Sequence, residues 1–208
     1  MADTVNTQGI VLYYEPWRDY DRRYVFYTEQ FGKLRATAIG VRKPKAKLAG
    51  VLEPFAEAEL YFIVGRQYKI AGAVVQQRWR SLQTDLSKHN AAVYITECLD
   101  RLTQDGTADD GLYHLLYSTL TWLDQATYTK LLPLSFVVKL VQRLGYDVVH
   151  LAKTAESTKV LRWLVTAEYD DIQKLRLDQS VWQQLYIAVH LWLYEYLGDD
   201  VQSERFLV

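Results

Sequence analysis

Up to Val75 the apolar positions fall in short runs of period two, and beyond Trp79 they recur every three or four residues. Ile10, Leu12 and Tyr14 alternate with Val11 and Tyr13, and Tyr24 to Tyr27 and Leu34 to Val41 form further runs with turn residues between them. Ala58 to Val64 and Tyr68 to Val75 continue the series across Gly65-Arg66-Gln67, a turn short enough for a hairpin. These five segments predict a small β-barrel.

The second pattern is helical. Leu112, Leu115, Leu116, Leu120 and Leu123 share one stripe, Phe136, Val137, Leu140, Val141 and Leu144 a second, and Val181, Leu185, Val189, Trp192 and Tyr196 a third. Gly145 and Gly198 sit where helices end, Asp178 can cap the last helix, and Gln104 to Gly111 reads as a polar loop. The change of period predicts two domains, a barrel over 1–80 and helices over 81–208, so the fold class is α+β.

Charge sharpens this division. The net charge is only −1, yet residues 1–90 hold 14 Lys and Arg against 9 Asp and Glu, a balance of +5. Residues 91–208 hold 10 against 16, a balance of −6. Between Gln30 and Glu53 there is no acidic residue, while Lys33, Arg35, Arg42, Lys43, Lys45 and Lys47 all fall there. A partner that carries phosphates is the simplest reading, and the acidic half would limit indiscriminate binding or meet a different partner. A run of cations is also often a solvated face; Pro44 and the flanking strands argue that this one is held on one side of the barrel.

Aromatic residues bear on the same question. Trp17, Tyr20, Tyr24, Tyr27, Tyr61 and Tyr68 can each stack on a base or pack inward, since alternation sends about half of strand side chains to the core. Trp17 and Tyr20 flank Arg18-Asp19 in a turn and are the better stacking candidates, with Arg18 as a further contact. Trp122, Trp163, Trp182 and Trp192 lie on helices, where packing is their expected role.

Other chemistry is sparse. No apolar run approaches the ~20 residues that a membrane span needs. Met1-Ala2-Asp3-Thr4 opens without the basic and apolar segments of a secretory signal, which predicts a cytoplasmic protein. Cys98 is the only cysteine, and His89, His114, His150 and His190 lack ligand spacing, so neither a disulfide nor a cysteine-based metal site is expected. Asp109-Asp110, Asp170-Asp171 and Asp199-Asp200 could serve a metal-dependent nuclease, but their places near helix ends and loops favour capping and turns. Neither catalysis nor a cofactor is expected.

The order of several short motifs resembles one family. Thr7-Gln8-Gly9-Ile10-Val11-Leu12, Asp21-Arg22-Arg23, Gly32-Lys33, Gly40-Val41-Arg42-Lys43-Pro44-Lys45 and Leu52-x-Pro54-Phe55 resemble the amino-terminal OB domain of the bacterial recombination mediator RecO. Glu97-Cys98-Leu99-Asp100-Arg101-Leu102, Phe136 with Leu140 and Leu144-Gly145-Tyr146, and Tyr196-Leu197-Gly198 with Ser203-Glu204-Arg205-Phe206-Leu207 extend the likeness through the helices.

The resemblance implies a five-stranded OB barrel followed by an all-helical domain, and a mediator that binds single- and double-stranded DNA and anneals complementary strands. It implies two protein partners, RecR and the acidic, hydrophobic tail of single-stranded DNA-binding protein, and help in loading the recombinase on coated single strands in the bacterial nucleoid. The tail would dock on the helical domain; Lys130, Lys139 and Arg143 are the cations nearest an apolar helical face, although solvated helix charges are an equal reading of them. OB folds also bind RNA and protein, so an interaction adaptor stands as the alternative. In one respect the chain departs from the family. Many members carry a four-cysteine zinc module after the Leu-Gly-Tyr segment, and here Asp147 to Ser157 holds no cysteine, which predicts that the module is absent.

Overall fold

The computed structural model describes residues 3–207, apart from the side chains of residues 148 and 149. Met1 and Ala2 of the amino-terminal reading, and those two side chains in the stretch that replaces the zinc module, lie outside the described residues. Five strands, β1 (Thr4–Trp17), β2 (Asp21–Thr28), β3 (Gly32–Ala38), β4 (Ala56–Ile63) and β5 (Tyr68–Arg78), close into a barrel in the order β1-β2-β3-β5-β4. All neighbours are antiparallel except β3 and β5, which pair in parallel over only Ala36↔Tyr68 and Thr37↔Lys69.

The period of two explains the barrel core. Ala58, Leu60 and Phe62 of β4 point inward and meet Val11, Tyr24, Phe26, Leu34 and Ala36. β2 is buried on both faces at Tyr24 to Tyr27, so those two tyrosines are core residues rather than stacking platforms. β1 runs further than its apolar stretch suggests, because polar Glu15 and Pro16 still pair with Arg23 and Arg22. β3 stops earlier than the run to Val41, at Ala38, where Gly40 turns with a φ of 67°.

Helices follow: α1 (Ser81–Thr84), α2 (Leu86–Leu102), α3 (Asp110–Gln125), α4 (Leu131–Arg143), α5 (Ala155–Thr166), α6 (Tyr169–Lys174) and α7 (Gln179–Leu197), with 3-10 turns at Val148–Leu151 and Gln202–Phe206. α4 is buried along nearly its whole length and packs against α2, α5, α6 and α7, which makes it the centre of the helical part. A capping box of Thr154 and Ser157 starts α5. Asp178 holds the N-cap position of α7 without a side-chain cap bond, and Gly198 ends that helix with a φ of 74°, as the sequence suggests. Three helical tryptophans pack as expected: Trp122, Trp182 and Trp192 are partly buried, against Tyr169, Tyr186 and Tyr196 respectively. Trp163 is 37% exposed, and Trp79 is the fully buried one.

Two compact units emerge. The first takes the described residues up to Arg80 together with Thr103–Tyr117; the second takes Ser81–Leu102 and the chain from Ser118 onward. The Thr103–Tyr117 return is fastened to the barrel at Gly32. With a φ of 62° at this position, a Cβ would overlap the Thr107 carbonyl, so the close approach requires glycine. Tyr113 adds a hydrogen bond from its hydroxyl to Glu57 at 2.6 Å.

Candidate nucleic-acid interface

The segment between β3 and β4 is a chain of tight turns. Lys43 N donates to the Gly40 carbonyl, Ala46 N to that of Lys43, Ala49 N to that of Ala46, and Leu52 N to that of Leu48, at 3.0–3.3 Å. Val41 and Leu52 enter the barrel core and Leu48 and Ala49 pack against it, so the apolar residues face one way. The intervening cations are left outside. Arg42, Lys43, Lys45 and Lys47 are all exposed.

This loop is pinned to the β1–β2 turn. Arg42 N donates to the Tyr20 carbonyl at 3.0 Å and Gly40 N to Asp21 Oδ1 at 2.7 Å. The Lys43 ammonium lies 5.7 Å from the centre of the Tyr20 ring. Arg18 takes a φ of 54° at the tip of the turn, and Trp17 and Tyr20 are 36% and 54% exposed. Arg18, Arg42, Lys43, Lys45 and Lys47 therefore lie on the turn and loop that these bonds join, with the exposed Tyr20 ring and a Trp17 ring that the Arg23 guanidinium covers on one face.

Lys33 and Arg35 belong elsewhere. Lys33 is almost wholly buried; its ammonium donates to the Thr103 carbonyl at 2.7 Å and lies 3.4 Å from Asp105. It thus leaves the phosphate-binding set, because a cation enclosed by the protein cannot reach a backbone outside. Arg35 faces a cleft and is held by Asp105 at 3.0 Å and by the Tyr13 hydroxyl at 3.1 Å. Arg23 and Arg66 line the same cleft, and neither stands out in the sequence. Arg23 also lies 3.6 Å over the Trp17 ring, and Arg22 lies 3.9 Å over Tyr14. Strand register supplies the signal that charge counting lacks: Arg23 pairs with Thr37, one alternation from Arg35 on the same face.

In the helical unit the three candidate cations separate. Lys130 is exposed at the start of α4 and borders an apolar pocket formed by Tyr94, Pro133, Leu134, Trp182 and Tyr186. Burial raises the Tyr186 phenol to about 12, helped by Glu204, so it remains a neutral hydroxyl at the pocket wall. Lys139 is not a rim cation. Its ammonium donates to the carbonyls of Val165 and Ala167 at 3.2 and 2.8 Å, closing the end of α5, and burial pulls it below the usual lysine range against an opposing effect of Glu168. Arg143 is exposed in the last turn of α4 and does not line the pocket. Lys174 and Arg176, which the sequence does not single out, line an adjoining groove that shares Lys130 and Trp182 with the pocket.

Among the described residues no three His, Cys, Asp or Glu side chains converge to hold a metal ion, and no helix is long and apolar enough to cross a membrane. Cys98 is buried and its thiol is pushed well up by desolvation.

Comparison with known proteins bears on both units. Residues 1–71 match the family model for Recombination protein O N terminal, and residues 83–153 match that for Recombination protein O C terminal. A DNA repair protein RecO of Syntrophomonas wolfei subsp. wolfei is 27% identical over 144 residues, covering 69% of this chain and 58% of the relative. One from Desulforamulus reducens is 35% identical over 113 residues, 54% of this chain and 44% of the relative. One from Geobacter metallireducens is 32% identical over 124 residues, 59% of this chain and 51% of the relative. The chain spans about half the length of the curated relatives it matches.

Proposed function

Given that the chain belongs to the RecO family, we propose that it is a DNA repair and recombination mediator whose barrel holds single- and double-stranded DNA without reading sequence. The observation that carries this reading is the exposed set Arg42, Lys43, Lys45 and Lys47, fixed beside Tyr20 on a stretch free of carboxylates from residue 31 to 52. Flexible cations on phosphates supply affinity through counterion release, and they carry no base-specific information. Trp17 and Tyr20 give unpaired bases a face to stack on, worth ~1–3 kcal/mol per base.

The task is electrostatic. Two complementary strands repel through their phosphates, and a cationic surface that neutralises part of each lets them meet and anneal. No covalent step and no cofactor enters this proposal. Residues 1–80 take the DNA-binding role and residues 81–208 the protein-binding one. The pocket walled by Leu134 and Trp182, with Lys130 at its rim, suits the hydrophobic, acidic tail of single-stranded DNA-binding protein. RecR is the second partner, and the joint outcome is recombinase loading on coated single strands, carried out at bacterial DNA in the cytoplasm.

Competition binding tests this reading. The intact chain is titrated with labelled single-stranded DNA, duplex and RNA of matched length, with Mg²⁺ present. Binding to both DNA forms at similar affinity across sequences is expected, with the strands left intact. Strong preference for RNA would favour an adaptor, and Mg²⁺-dependent cleavage would make the protein a nuclease.

A further inference from the structure

One wall of the apolar pocket in the helical unit differs from the rest. Tyr94, Lys130, Pro133, Leu134, Trp182 and Tyr186 stand on or beside α2, α4 and α7, whereas Leu207 reaches the pocket from just beyond the Gln202–Phe206 turn and is half-buried there. The pocket is small. Its void measures about 60 Å³, and a cavity that holds one benzene ring measures about 150 Å³. A bulky apolar side chain is therefore buried here only if a wall moves.

The turn before Leu207 is held unequally along its length. Glu97 of α2 caps its start, accepting from the Gln202 and Ser203 N–H groups at 2.8 and 2.9 Å, and the buried Glu204 meets His190 Nδ1 of α7 at 2.8 Å. Beyond Glu204 the ties thin out. The Phe206 carbonyl accepts from Asn90 Nδ2 at 3.2 Å, and among the described residues this is the one hydrogen bond that joins Phe206 or Leu207 to a helix. The Phe206 side chain is 52% exposed, so apolar burial does little to hold it.

We propose that Leu207 gates this pocket and determines which apolar side chain it takes: a small one beside Leu207 as it stands, a bulky one only once Leu207 is displaced. The inference rests on the reading of the pocket as the site of an acidic, hydrophobic tail. Glu97 and His190 keep Gln202 to Glu204 in place while Phe206 and Leu207 swing, because a single exposed hydrogen bond is all that opening must break outside the turn. Opening re-exposes a half-buried leucine, which offsets part of the partner's apolar gain. An acidic segment without a bulky end gains nothing from the opened gate and is left with the exposed Lys130 charge, a weak attraction in water.

The test titrates the parent, Leu207→Ala and Asn90→Ala, as full chains, with two peptides: four aspartates followed by phenylalanine, and four aspartates followed by valine. Leu207→Ala is expected to bind the phenylalanine peptide about fivefold tighter than the parent does, because no half-buried leucine has to be displaced. The valine peptide is expected to gain less than about twofold, since it fits without opening. Asn90→Ala keeps every wall and frees the Phe206 carbonyl, so it is expected to tighten the phenylalanine peptide by about twofold. If folded Leu207→Ala binds that peptide equally or more weakly, or if both peptides gain alike, Leu207 is a fixed wall; the gate is overturned and the pocket keeps its role. If neither the parent nor a variant binds either peptide, the reading of the pocket falls, and the gate with it. Should Leu207→Ala fail to fold, Asn90→Ala decides alone, and unchanged or weaker affinity for the phenylalanine peptide overturns the proposal.

Discussion

The Lys33 ammonium donates to the Thr103 carbonyl at 2.7 Å, across seventy positions of chain, with only 6% of its side chain left to solvent. A lysine from the most cationic stretch of the protein is thereby a structural bolt. It ties β3 to the return at Thr103–Tyr117, next to the close approach of Gly32 to Thr107.

Replacing Lys33 by Met should therefore act on stability. The Thr103 carbonyl loses the Lys33 donor and Asp105 loses the ammonium beside it, which costs roughly 1–3 kcal/mol. Thermal unfolding should show the loss, and DNA affinity measured well below the new midpoint should change less than it does for the loop lysines. A stable Lys33→Met protein with sharply reduced DNA binding would return Lys33 to the phosphate-binding set.

The pocket in the helical unit yields a second expectation. Lys130→Glu reverses the rim charge and Trp182→Ala removes an apolar wall, so each should weaken an acidic peptide with a hydrophobic end by about five- to tenfold, near 1–1.4 kcal/mol. Isothermal titration with the full chain measures it, and DNA binding by the same variants should hold. Because apolar packing carries much of the peptide's affinity, salt should weaken it less than it weakens DNA binding. Equal peptide affinity in both variants would move the partner site away from this pocket.

Metal dependence offers a third. A stable zinc site takes four ligands, usually thiolates or imidazoles. Here the single thiol, Cys98, is buried and held protonated, and among the described residues no three His, Cys, Asp or Glu side chains converge, the His150–Asp147 contact at 3.8 Å included. Chelation should leave the unfolding midpoint and DNA binding unchanged. One tightly held zinc per chain, found by elemental analysis, would contradict this.

The barrel is legible in the sequence because its signal is local: alternation at Ala58 to Val64 declares both strand and inner face, whereas Ile10 to Leu12 declare only a strand, since all three are buried and a bulge between Val11 and Tyr13 shifts the pattern. The exposed cations of the β3–β4 loop are legible for the same reason, since Val41 and Leu52 on either side mark which residues turn inward. Lys33 is not. Its burial depends on Thr103, and charge counting along the chain cannot register a partner so distant. Arg23 and Arg66 escape because the cleft exists only once strand register brings β2, β3 and the β4–β5 turn together. Lys139 looks like a rim cation on a helix; only the end of α5, folded back over it, shows which carbonyls it serves.

The central claim, that exposed cations on the barrel hold DNA without reading sequence, is tested most directly by the salt dependence of binding. The intact chain and the variant Arg42→Ala, Lys43→Ala, Lys45→Ala, Lys47→Ala are titrated with several unrelated DNA sequences over a range of salt. The variant should bind all of them more weakly by a similar factor. Its salt slope should shrink by about 0.9 for each duplex phosphate it no longer neutralises, and by about 0.7 for each phosphate of a single strand. A folded variant with unchanged affinity and unchanged slope would contradict the claim.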